Sequence, residues 1–106
     1  MDVRVLTDGT FNERVSKSKG ISVVDFFANW CMPCKIMAPI IESLAAELDG
    51  TVSFFKLDVD ENQSTAGRLG IRSIPTFIVF RNGKEIDRMV GGMSEESFRD
   101  KIDSFL

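Results

Sequence analysis

The chain has 106 residues, 43% hydrophobic and 27% charged, with thirteen basic side chains against sixteen acidic ones. This composition predicts a single domain over residues 1–106 whose core needs no staples or metals. A net charge of −3 with no Lys/Arg cluster argues against nucleic-acid binding, and the lack of any histidine removes Ser-His-Asp and Cys-His catalysis and the commonest metal ligand.

No apolar run approaches the ~20 residues that cross a bilayer. Met1-Asp2-Val3-Arg4-Val5-Leu6 has no basic region followed by a long apolar stretch, so no signal peptide or membrane anchor is expected. A start on Met1 reads as a full-length cytoplasmic protein, and nothing in the sequence signals oligomerisation, so a monomer is expected.

Val3 to Leu6 reads as a short first strand. Thr10 with Glu13 fits a capping box, and Phe11 with Val15 forms a helical pair, so a short helix follows and stops near Lys19-Gly20. Ile21 to Phe27 is almost continuously apolar and rich in β-branched and aromatic residues, as a strand buried on both faces requires. A long helix follows from about Cys31 to Leu48. Met37, Ile41, Leu44 and Leu48 form its apolar stripe, widened by Ile36 and Ile40. Pro39 lies inside it and predicts a kink. Asp49-Gly50 ends it.

Val52 to Leu57 is the next buried strand. A polar stretch from Asp60 to Ser64 leads into a short helix through Ala66 and Leu69, closed by Gly70. Thr76 to Phe80 is a strand, Asn82-Gly83 a hairpin turn, and Glu85 to Val90 the antiparallel partner. Ser94 can cap a last helix that buries Phe98, Ile102 and Phe105 or Leu106. The order β-α-β-α-β-α-β-β-α predicts an α/β fold: a central mixed five-stranded sheet flanked by four helices.

The two cysteines stand three positions apart in Trp30-Cys31-Met32-Pro33-Cys34-Lys35. A structural staple joins distant segments, so this spacing points to chemistry. The motif lies where a buried strand gives way to a helix. Free N–H groups and the helix dipole stabilise a thiolate there, and the thiolate is the nucleophile of thiol–disulfide exchange. Residues three apart share a helix face, close enough for a disulfide. Pro33 costs little in a first turn. Cys34, deeper in the helix, should be the less exposed, which makes Cys31 the attacking thiol and Cys34 the resolving one. A zinc site would need ligands that one chain without His or further Cys does not supply. An interchain metal site is the form of that reading left open.

The segment Phe27-Ala28-Asn29-Trp30-Cys31-Met32-Pro33-Cys34-Lys35 resembles the active-site segment W-C-G-P-C-K of the thioredoxin family. The resemblance extends over essentially the whole chain, including Asp25, Pro39, Ile74-Pro75-Thr76, the hairpin and Val90-Gly91-Gly92. It implies the thioredoxin fold and a reversible Cys31–Cys34 dithiol/disulfide cycle that reduces protein disulfides. It implies no bound cofactor and a separate thioredoxin reductase as partner.

Asp25 interrupts an apolar strand. By its residues alone it is either a buried carboxyl with a raised pKa or a carboxylate at an edge reaching solvent. The resemblance makes it the proton acceptor for Cys34, with Lys56 nearby as a modulator of its charge; on its own, Lys56 reads as a snorkelling lysine. The resemblance also makes Pro75 a cis proline facing the cysteine pair, with Ile74 offering backbone to a substrate strand. Gly91 and Gly92 become part of a flat docking groove. Trp30, Met32 and Pro33 complete the substrate surface. Met32 stands where most members have Gly, and Phe27 where many have Trp. Two alternatives stand beside the reductase reading: the same fold poised as an oxidant or isomerase, and a non-catalytic binding module.

Overall fold

A computed structural model describes residues 3–106; the expectation that falls on Met1 and Asp2 lies outside the described residues. The elements follow the order read from the sequence: β1 (Val3–Leu6), α1 (Phe11–Lys17), β2 (Ile21–Phe27), α2 (Met32–Glu47), β3 (Val52–Asp58), α3 (Gln63–Arg68), β4 (Thr76–Arg81), β5 (Lys84–Val90) and α4 (Glu95–Asp103). The five strands form one mixed sheet in the order β1-β3-β2-β4-β5. β3 runs parallel to both β1 and β2, whereas β4 is antiparallel to β2 and β5. This is the α/β architecture expected from the sequence.

The alternation of β2 divides the interior in two. Ile21 and Val23 join Met37, Ile41 and Leu44 of α2 and Phe98 and Ile102 of α4 in one core cluster. Val24 and Phe26 join Phe11 and Val15 of α1 in the other, with Leu69 and Ile71 packed against it. Helices therefore cover both faces, as a strand apolar at nearly every position demands. Phe77 and Phe98 meet edge to face, their ring centroids 5.0 Å apart.

Asn82 (φ 51°) and Gly83 (φ 84°) both take left-handed backbone conformations, as a two-residue hairpin turn between right-twisted strands requires. The Asn82 Oδ1 accepts the Gly20 N–H at 2.8 Å and ties the hairpin to the start of β2. Ser94 caps α4 as expected, accepting the Ser97 N–H.

Local chemistry departs from expectation at two places. Thr10 precedes α1 but makes no side-chain cap; its Oγ1 instead accepts the Thr7 N–H at 2.9 Å, so the capping box does not form. Ile36 does not widen the buried stripe of α2. It is 64% exposed, because it lies about 100° around the helix from Met37, on the outer side. Of the two residues expected to close the last helix's buried face, Phe105 packs against the core and Leu106 is exposed. Pro39 is accommodated inside a helix that continues to Glu47. Among the described residues, no helix is long and apolar enough to cross a membrane.

Candidate functional site

The site lies where β2 ends and α2 begins. Cys31 is the N-cap of α2, with extended backbone (φ −84°, ψ 111°), and Pro33 falls in the first turn. An N-cap side chain normally uses an oxygen to accept a first-turn N–H. Here the Cys31 Sγ takes that place, accepting the Cys34 N–H at 3.2 Å. The sulfur thus sits on the positive end of a 16-residue helix. Cys31 and Cys34 are joined by a disulfide, with Cα atoms 5.2 Å apart.

The expected difference in exposure between the two cysteines is absent. Cys31 is 3% exposed and Cys34 4%. Both pack with Ala28, and Phe27, Val59 and Ile74 close over them. The Cys31 Sγ lies 3.8 Å from the Ile74 carbonyl oxygen, cover that comes from a segment distant in sequence. The two sulfurs differ instead in what they face: Cys31 meets the helix terminus and Ile74, whereas Cys34 lines a pocket with Asp25.

The antiparallel ladder brings Ile74 and Pro75 here. Phe26, near the end of β2, pairs with Thr76, the first residue of β4. The Ile74–Pro75 peptide bond is cis, and Pro75 is buried. The Pro75 carbonyl accepts the Gly91 N–H at 2.8 Å, which joins the end of β5 to the same place. Gly91 has φ +93°, a conformation that an L side chain resists. A Cβ on Gly92 would stand 3.8 Å from the Pro33 Cβ, an ordinary contact; Gly92 thus borders Pro33 but owes its identity to no clash within the chain.

Asp25 is central rather than at an edge. It pairs with Lys56 on β3 and Phe77 on β4 and is 5% exposed, so the edge-carboxylate reading is excluded. Its Oδ1 is buried with no hydrogen-bond partner among the described residues. Burial raises its pKa to about 7 from 3.8; the positive charge of Lys56 pulls it down, but by less. Lys56 is half-buried, its ammonium 5.9 Å from the centroid of the Phe27 ring. Asp25, Phe27, Cys34, Lys35, Ala38 and Lys56 line a pocket of about 170 Å³.

Around the buried sulfurs lies an apolar rim. Trp30 and Met32 are 67% and 63% exposed, and Ile36 and Val90 stand out to a similar degree. Met32 and Ile36 are one helical turn apart and share a face. The Trp30 Nε1–H donates to the Asp60 Oδ2 at 2.7 Å, and Asp60 is itself held in a turn whose N–H groups at Asp60 and Glu61 bond the Asp58 Oδ1. Asp60 is the contact that the sequence reading missed. Its signal was indirect: a lone tryptophan beside the motif needs an acceptor for its indole N–H, and acidic residues follow β3, the parallel neighbour of β2.

The arrangement holds two sulfurs able to switch between dithiol and disulfide, a carboxyl able to exchange a proton near neutral pH, and an apolar surface beside them. No group of three or more His, Cys, Asp or Glu able to hold a metal occurs among the described residues.

The thioredoxin family model matches residues 2–104. The chain is 43% identical over 106 residues to the thioredoxin of Staphylococcus haemolyticus (strain JCSC1435), covering 100% of both chains. It is 42% identical over the same full length to that of Staphylococcus saprophyticus, and 43% to that of Staphylococcus aureus (strain Mu50). Matches of this extent account for the fold and for the paired cysteines at the head of α2 together: the chain belongs to the thioredoxin family and is a thiol–disulfide oxidoreductase, a protein-disulfide reductase whose redox centre is its own cysteine pair.

Proposed function

We propose that Cys31 is the attacking thiol, Cys34 the resolving thiol and Asp25 the proton acceptor in the reduction of protein disulfides. The observation that carries this reading is the asymmetric surroundings of the pair. Cys31 sits at the N-cap, its sulfur receiving an N–H, where negative charge is favoured. Cys34 shares a pocket with a buried carboxyl whose pKa is about 7, as suits a general base at neutral pH.

A target disulfide docks on the rim of Trp30, Met32 and Pro33, with Ile74, Pro75, Gly91 and Gly92 on the other side. The Ile74 backbone offers hydrogen bonds to an extended target segment. The Cys31 thiolate attacks one target sulfur; the S–S bond breaks, and the other target sulfur leaves as a thiolate that takes up a proton. Asp25 accepts the Cys34 proton, directly or through a water in the pocket. The Cys34 thiolate then attacks the Cys31 Sγ, closes the Cys31–Cys34 disulfide and releases the second target thiol. Two electrons and two protons have moved to the target. Lys56 tunes the step through its pull on the Asp25 charge.

Restoring the dithiol requires an outside donor, a thioredoxin reductase, and the cytoplasm is the compartment that suits a reducing cycle. The test is reduction of insulin by dithiothreitol, followed by turbidity, with and without the protein. Acceleration that vanishes in Cys31→Ser is the expected result. No acceleration by the folded, reduced protein would overturn the reading.

A further inference from the structure

Cys31 and Cys34 share the site with a third sulfur. Met32, between them in sequence, is 63% exposed. The other described methionines are covered: Met37 is 0% and Met89 8% exposed, and Met93 is half-buried. The Met37 Sδ also receives the Met93 N–H at 3.5 Å. The cysteine sulfurs belong to residues that are almost wholly buried, and in the disulfide they are already oxidised. When the protein is in its disulfide form, Met32 is thus the most exposed sulfur-bearing residue among those described.

Thioether oxidation follows access, and the product is polar where the methionine was apolar. We propose that Met32 is a site of oxidation by peroxides, and that its sulfoxide weakens docking of protein disulfides while leaving the cysteine pair chemically intact. The thioether sulfur gives a lone pair to one oxygen of hydrogen peroxide. The O–O bond breaks, and the other oxygen leaves as hydroxide, which takes the proton from the oxygen now bound to sulfur and becomes water. Sulfur loses two electrons and the peroxide gains them. The new S=O group stands on the exposed rim, one helical turn from Ile36, where a bound target would cover it and strip its water. The loss of rate rests on the docking role proposed for Met32; the modification itself does not.

The experiment treats the full-length disulfide form with graded hydrogen peroxide, removes the excess with catalase, and maps each methionine by mass spectrometry. The same samples are assayed for insulin reduction. Oxygen should enter Met32 roughly tenfold faster than Met37, Met89 or Met93, in keeping with their exposure. The insulin rate should fall about fivefold as Met32 sulfoxide accumulates, from burying an unpaired polar group. A Met32→Leu variant should keep its own untreated rate after the same exposure. Oxidation of a buried methionine first, or complete Met32 sulfoxide with an undiminished rate, would overturn the proposal. If untreated protein fails to reduce insulin, the functional reading fails instead, and the mapping still decides whether Met32 is the oxidation site.

Discussion

Replacing Asp25 by Asn should stabilise the disulfide form of the protein at neutral and alkaline pH. Burial raises the Asp25 pKa from 3.8 to about 7. Between those values the native state holds a proton that the unfolded chain has released, so native stability falls as pH rises. At 1.36 kcal/mol per pKa unit, the charged carboxylate costs the fold roughly 4 kcal/mol once pH exceeds the native pKa, and about 2 kcal/mol at pH 5. Well below pH 3.8 the carboxyl is neutral in both states and the cost is gone. Asn keeps the shape and carries no charge, so it removes the pH-dependent part. Urea unfolding followed by circular dichroism, at pH 5, 7 and 9, measures it. The stability gained by Asp25→Asn should grow by roughly 2 kcal/mol between pH 5 and 7 and change little above that. A gain that is equal at pH 5 and 9, or a variant less stable than the parent at pH 9, would refute the assignment of a charge-averse site to Asp25.

A Cys34→Ser variant should accumulate a mixed disulfide between Cys31 and a target protein, visible by mass and reversed by dithiothreitol; no such adduct would count against Cys34 as the resolving thiol. Lys56→Met removes the charge that lowers the Asp25 pKa, so the pH–rate profile of disulfide reduction should shift to higher pH, and an unchanged profile would remove Lys56 from the mechanism. Asp60→Ala takes away the acceptor of the Trp30 indole N–H; the indole proton resonance should move and insulin reduction should slow, whereas an unmoved resonance would show that the bond is absent in solution. Phe98→Ala empties a fully buried position in contact with Phe77 and should cost about 3–5 kcal/mol in urea unfolding.

The sheet was legible because its strands carry β-branched and aromatic runs bounded by turn residues. The missed ends are charged: Asp58, Arg81 and Lys84 extend β3, β4 and β5 by one residue each. A ladder can include a charged residue whose side chain reaches solvent, and composition does not reveal it. The cap of α1 failed for a local reason, since a second threonine, Thr7, claims the Thr10 hydroxyl. Ile36 was misplaced because hydrophobic spacing marks a stripe but not its edges. The cysteine pair and Asp25 were legible as anomalies, two close sulfurs at a strand–helix junction and a carboxyl in an apolar run. The burial of Cys31 and the Trp30–Asp60 bond were not, for each depends on a partner that arrives through tertiary structure: Ile74 through the β2–β4 ladder, and Asp60 from the end of β3.

That ladder also orders events during synthesis. Cys31 and Cys34 are neighbours in the chain and can close a disulfide as soon as the first turn of α2 exists. The wall at Ile74 and Pro75 is made some forty residues later and comes to the sulfurs only when Thr76 pairs with Phe26. An emerging chain therefore carries both cysteines before it carries the Ile74–Pro75 segment that covers them.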